Sequence, residues 1–397
     1  MLDAALAATN GRLLVADELR RRDALLGSII AIGKAASAML EGALDVVQDV
    51  RALLITKDGH VAPALRDRAG VEIIEAGHPM PDARSLHAGR RLLEFMHAAP
   101  SDRPLLFLFS GGASSLVEAL PEGVSLDGWR RVNAWLLGSG LDIHAMNAVR
   151  KRLSCIKGGR LLEPLDGRRA VVLMMSDVPG DDPASIGSGP LSPCVNVPLP
   201  ENLPDWLRVL LDAAPPMPAV ADPRWAGVTS RILASNATAL DAAVRAAFCL
   251  GVPVHRPTAF VQGDAREAGE RLARQLIDGP PGIYLWGGET TVTLPGHPGR
   301  GGRNQHLALG AALALEGHPG ITLLAAGTDG TDGPTEEAGA CVDGGTAAAM
   351  RAAGIDPEDA LRRADSGTAL GAVDALIRTG PTGTNVMDGV LALVESS

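Results

Sequence analysis

A chain of 397 residues is long enough for two domains, and its 46% hydrophobic share supplies sizeable cores, built from aliphatic side chains because aromatics reach only 3%. A formal charge of −10 argues against nucleic acid or an anionic membrane as a partner, yet leaves room for a locally basic pocket that takes a small anion. Cys155, Cys194, Cys249 and Cys341 form no CxxC pair and read as reduced thiols of a cytoplasmic protein; residues 1–17 lack a signal-peptide pattern, and no apolar run approaches the ~18 residues of a membrane span.

In chain order, the first apolar run is Ser28–Ile32, ending at Gly33-Lys34 before the small residues Ala35, Ala36 and Ser37. A lysine between a strand end and a helix start suits a phosphate oxygen, although a solvated surface lysine is the ordinary alternative and no Walker A loop is present. A helix is expected over 35–47, a strand over 52–56, a helix over 83–98 and a strand over 104–109. The last of these runs into Ser110-Gly111-Gly112-Ala113-Ser114-Ser115, whose paired glycines and hydroxyls suggest an anion nest.

The run from Asn147 to Arg160 is the densest in basic residues. It reads equally as a solvated helix face and as a face turned to phosphate, with Asn147 and Lys157 bracketing it. The strand at 170–175 ends at Ser176-Asp177, which makes Asp177 the favoured ligand for a metal or a substrate hydroxyl, while Asp181 and Asp182 suit a turn and a cap before Pro183. Nine prolines between 190 and 223 suggest an extended connector, hence domains at 1–225 and 226–397.

Beyond the connector the pattern resumes: a strand at 231–234, helices over 236–250 and 264–277, and a strand at 282–286 leading into Gly287-Gly288-Glu289. The glycine-rich stretch 296–302 carries Arg300, and Arg303 opens a helical run to 315; backbone N–H groups and guanidinium forks in such a loop suit an anion. A strand at 321–326 precedes Gly327-Thr328-Asp329-Gly330-Thr331-Asp332, whose aspartates suit either turns or a metal, and a Gly/Thr loop at 379–385 could close over a ligand before the last strand, 390–394. Strands alternating with helices predict parallel sheets with ligands beyond the carboxyl ends of the strands. There is no GxGxxG and no HExxH, and scattered histidines such as His78 read as structural.

These segments together, AIGKAASAM, FSGGASSL, NAVRKRLSCIKGGRL, SDVPGDDPASIGSGP, GGETTVTL, GRGGRNQ, GTDGTDGP and TGPTGTN, occur in the same order in the glycerate 2-kinase family, which the chain resembles over nearly its whole length. The resemblance implies two α/β/α domains, an N-terminal Rossmann-like glycerate-kinase domain with a parallel sheet and a smaller C-terminal MOFRL domain, with the active site in the interdomain cleft. It implies ATP- and Mg²⁺-dependent phosphorylation of D-glycerate on its 2-hydroxyl, with a homodimer as an open expectation.

Lys34, Asp177 and Arg303 match the family's site. Ser110, Gly111, Gly112, Ser114, Asn147, Lys157 and Glu289 are expected to contact substrate or phosphate, and Asp177, Asp329 and Asp332 to hold the metal. His306, Arg152, Asp264 and Gly367 depart from the residues the family usually carries there. NAD(P)H-dependent hydroxypyruvate reduction and non-catalytic sensing of a sugar acid are the competing functions.

Overall fold

The computed structural model of this protein describes residues 1–22, 26–78, 80–141, 143–195 and 197–396. They form two compact units, one of residues 11–233 and one of residues 1–10 with 234–397. The division therefore falls at Leu233–Ala234 and not at 225. The chain completes a strand of the first sheet before it leaves that unit. The opening helix, Leu2–Ala8, packs on the Asn236–Phe248 helix and so belongs with the C-terminal half.

The first unit holds a six-stranded sheet of β1 (Ser28–Ile32), β2 (Arg51–Lys57), β3 (Val71–Ala76), β4 (Leu105–Phe109), β5 (Ala170–Met175) and β6 (Val228–Ala234), in the order β3-β2-β1-β4-β5-β6. β1 to β5 run parallel. Every residue of β1, β4 and β5 is buried, which is why their sequences are unbroken apolar runs. β3 escapes that pattern because it lies at the edge, where Glu72 pairs with Arg91 at 2.7 Å. The strand order reverses between β1 and β4, which makes the carboxyl ends of these two strands the topological switch point, where sheets of this kind take their ligands.

The proline-rich segment is not a linker. It lies within the first unit and includes the Asp205–Asp212 helix, whose Leu207 and Leu211 pack with Trp129, Val132 and Val149 from two further helices. The basic run holds it in place. Arg152 Nη1 donates to the Ala214 carbonyl at 3.2 Å and Arg160 Nε to that of Pro215 at 2.9 Å, while Lys151 Nζ donates to the Ala184 carbonyl, ahead of the segment, at 2.8 Å.

The second unit carries β7 (Val254–His255), β8 (Val261–Asp264), β9 (Gly282–Thr291), β10 (Ile321–Gly327), β11 (Gly339–Asp343), β12 (Leu376–Ile377) and β13 (Asp388–Val394). This sheet is mixed, not parallel: β11, β10, β13 and β9 pair antiparallel, and β7 and β8 add to β9 in parallel. The Arg303–Ala314 helix is buried along most of its length, as its near-absence of a polar face requires. It lies against the Ala265–Ile277 helix at Gly269, where a Cβ would stand 2.1 Å from the Leu307 carbonyl oxygen.

Candidate active site

The first unit brings its candidate groups to the strand ends around the point where the sheet order reverses. After β1 the chain turns at Gly33 with φ +133°, and a Cβ there would lie 2.2 Å from Ser110 Oγ. The Lys34 N–H donates to the Gly111 carbonyl at 2.9 Å and the Ala35 N–H to Ser110 Oγ at 3.0 Å, so the loops after β1 and β4 are tied together. Gly112 follows at φ +81°, and a Cβ on it would meet His78 ring atoms at 3.0 Å and Lys34 Cγ at 3.2 Å. Asp177 stands just beyond β5, the neighbour of β4.

Lys34, His78, Gly111–Gly112 and Asp177 thus follow β1, β3, β4 and β5. Sequence reading missed His78 by treating it as a lone structural histidine; its place two residues after β3 was the available signal, hidden because β3 itself was not recognised. Asp182 accepts from the Ala184 N–H at 3.0 Å and from Ser185 Oγ, the capping role expected of it.

Several expected phosphate ligands have other work. Ser110 is fully buried, and its hydroxyl oxygen serves the Ala35 N–H. Ser114 is exposed at the surface of the short helix that follows. Asn147 accepts from Arg150 Nη1 at 3.4 Å within its own helix. Lys157, expected at the phosphate, is instead buried in an ion pair: it is only 4% exposed, its ammonium lies 2.5 Å from Glu118 Oε2, and Ser154 Oγ donates to the other carboxylate oxygen at 2.5 Å. A cation so enclosed balances a buried carboxylate. After Lys157 the Gly158 N–H donates to the Ser188 carbonyl and the Gly159 N–H to that of Gly189.

The second unit builds its pole around Arg303, the first residue of its helix. Arg303 Nε and Nη2 donate to the two oxygens of Asp388 at 2.6 and 3.0 Å, and Nη1 donates to Glu289 at 2.6 Å. One guanidinium faces two carboxylates, so this pole is not the electropositive surface that its arginines suggest. Burial draws the guanidinium pKa down, but Asp388 and Glu289 outweigh it and keep Arg303 firmly protonated. Burial pushes the Asp388 carboxyl upward against the pull of Arg303.

Asp388 was missed because it sits at the start of a strand behind an unremarkable Met-Asp-Gly. Its backbone is fixed by Asn236, whose Nδ2 donates to the carbonyls of Val386 and Asp388 at 2.9 and 3.0 Å. Gly287 leaves room for that carboxamide, and Gly288 for the Val261 carbonyl 2.5 Å from where its Cβ would stand. Both glycines lie inside β9, so they serve close packing and not an anion loop.

Asp332 is likewise reassigned. Its two oxygens accept the N–H groups of Asn304 at 3.1 Å and Gln305 at 2.8 Å, capping the helix that begins at Arg303. Burial pushes its pKa up to about 7, against those two backbone donors. Asp329 accepts from the N–H and hydroxyl of Thr331. Among the described residues, no group of three or more His, Cys, Asp or Glu side chains is placed to hold a metal ion. The loop at 379–385 ends on two buried polar atoms without a partner, Thr384 Oγ1 and Asn385 Nδ2.

The departures noted in the sequence have local explanations. His306 is buried, with burial lowering its pKa, and it feels the charge of Asp264, which caps the Ala265–Ile277 helix through the Glu267 N–H. A Cβ on Gly367 would approach Gln305 Oε1 to 2.5 Å and the Arg300 carbonyl oxygen to 3.0 Å, space that an aromatic side chain could not share.

This is a two-unit α/β protein with a topological switch point in its first sheet and an arginine–carboxylate centre in its second unit. Residues 1–199 match the domain of unknown function DUF4147 and residues 282–388 the MOFRL family. The chain is 39% identical over 386 residues to the D-glycerate 2-kinase of Thermotoga maritima, covering 92% of this chain and 90% of that one. It is 41% identical over 379 residues to an Agrobacterium vitis protein provisionally named hydroxypyruvate reductase, covering 91% and 97%. The crystal structure of a Thermotoga maritima glycerate kinase superposes with a TM-score of 0.84 at 35% identity, over 99% of this chain and 97% of that one. The chain belongs to the glycerate 2-kinase family.

Proposed function

We propose that this protein transfers the γ-phosphoryl group of ATP to the 2-hydroxyl of D-glycerate, giving 2-phospho-D-glycerate and ADP, with Mg²⁺ as the required ion and the cytoplasm as its location. The observation that carries the reading is the assembly of Lys34, His78, the Gly111–Gly112 turn and Asp177 at the carboxyl ends of four strands flanking one switch point.

Phosphoryl transfer asks of a protein mainly positioning and charge neutralisation. Lys34, anchored through its backbone to Gly111, meets a phosphate oxygen. Asp177 orients the attacking hydroxyl. Arg303, held by Asp388 and Glu289, presents the outer edge of its fork to the glycerate carboxylate or the transferring phosphate. Glu289 is then a holder of Arg303 and not itself a phosphate ligand.

Mg²⁺ in such sites takes one or two carboxylates together with the nucleotide's phosphates, so an all-protein cage is not required. Asp177 in the first unit or Asp329 in the second is suited to it, because Asp332 spends both oxygens on a helix cap. Bound there, the ion would neutralise phosphate charge.

Hydroxypyruvate reduction is the second reading, prompted by the name of the Agrobacterium relative. The strand order is one that dinucleotide enzymes share. The turn after β1, however, has one glycine where their fingerprint has three, and Lys34 stands where the pyrophosphate would need bare backbone. Incubation with NADH and hydroxypyruvate separates the two: the kinase reading expects no oxidation of NADH, and robust oxidation defeats it.

A further inference from the structure

The second unit carries a pair of arginines that neither the capping of its helices nor the Arg303 centre uses. Glu337 is 3% exposed, and it receives Arg300 Nη2 on one oxygen and Arg378 Nε and Nη2 on the other, the last two at 3.3 and 3.0 Å. Their side chains stay open to solvent, 46% exposed for Arg300 and 69% for Arg378. One buried carboxylate between two forks leaves these three side chains one net positive charge.

The backbone beneath them is fixed. The Arg300 N–H donates to Asp365 at 2.9 Å, and its carbonyl accepts the Gly367 N–H at 2.8 Å. Gly301 fits closely over Ser366, with a Cβ position 2.5 Å from Ser366 Oγ, a buried hydroxyl that has no partner. The loop that Arg378 opens is the one ending on the partnerless Thr384 Oγ1 and Asn385 Nδ2. Fork spacing set by one shared carboxylate removes much of the entropy cost of clamping a flexible polyanion.

We infer that Arg300 and Arg378, spaced by Glu337, bind the polyphosphate chain of the nucleoside triphosphate in the second unit. The inference rests on the kinase reading, in which a triphosphate is the donor. Arg300 and Arg378 are binding residues here, and Glu337 is a positioning residue.

Calorimetric titration of the full chain with ATP and, separately, with inorganic tripolyphosphate tests this. Arg378→Gln and Arg300→Gln are each expected to weaken both probes about tenfold, the scale of one charge-assisted hydrogen bond, and to raise the KM for ATP while leaving the KM for glycerate unchanged. Arg378→Lys keeps the charge without the fork and is expected to recover only part of the affinity. Equal binding of ATP by Arg378→Gln and the parent chain, or a matching loss of glycerate affinity, overturns the inference while leaving the kinase reading intact. Failure of the parent chain to bind ATP at all defeats both. Circular dichroism of the variants guards against misfolding, and Arg378, at 69% exposure, is the substitution least able to cause it.

Discussion

The carboxamide oxygen of Asn236 lies 1.7 Å from where a Cβ on Gly287 would stand, and the same carboxamide donates to the carbonyls of Val386 and Asp388. A glycine in β9 is thus tied through one asparagine to the aspartate that holds Arg303. Gly287→Ala forces Asn236 off that backbone. Denaturant unfolding is expected to lose about 1–3 kcal/mol, the usual scale of overpacking a tight site, and turnover is expected to fall with it. A variant as stable and as active as the parent would show that Gly287 is not spatially required.

Lys34 and Arg303 have different expected signatures. Lys34→Ala keeps the backbone bond to Gly111, so the variant should fold normally and lose about 10³-fold or more in turnover. Arg303→Lys retains the charge but cannot bridge both oxygens of Asp388 while also reaching Glu289. Its kcat should drop about 10²- to 10³-fold, the scale of a lost preorganised donor. Single-turnover kinetics with either variant at the parent rate would remove that residue from the chemistry.

Asp332 gives stability a pH dependence. Its folded pKa, about 7, lies above the 3.8 of the unfolded chain, so folding favours the protonated carboxyl. That stabilisation is complete below pH ~4 and is lost as pH rises towards 7, with a slope of at most about 1.4 kcal/mol per pH unit for one proton. Urea unfolding of the parent chain and of Asp332→Asn between pH 4 and 8 measures it: the difference between the two should flatten above pH ~7. A pH-independent difference contradicts the assignment.

Lys157 should behave as a core residue. Lys157→Met leaves Glu118 buried without its partner, at a cost of about 3–5 kcal/mol. Lys157→Met combined with Glu118→Leu removes both charges and should recover much of that loss. Were Lys157→Met to fold with parental stability and raise the KM for glycerate, the lysine would face substrate after all.

Strand-end logic carried the reading of the first unit a long way. β1, β4 and β5 are covered on both faces, so their apolar runs stood out, and with them the strand ends that Lys34, Ser110–Gly112 and Asp177 follow. His78 was lost with β3, an edge strand whose glutamates break the pattern. The roles of Lys157 and Asp332 could not be read, since their partners, Glu118 and the N–H groups of residues 304 and 305, are distant in sequence and carry no motif. Asp388 was invisible for the same reason. The glycines of Gly287-Gly288 misled: composition marks a glycine, but only the fold distinguishes one that bares its amide from one that admits a neighbour.

Incubating the protein with ATP, Mg²⁺ and D-glycerate and following the reaction by phosphorus NMR tests the central claim most directly. The account predicts ATP-dependent growth of the 2-phosphoglycerate resonance together with ADP, abolished in Lys34→Ala. A product carrying its phosphate on the 3-hydroxyl, or no phosphate ester at all from a folded protein, would contradict it.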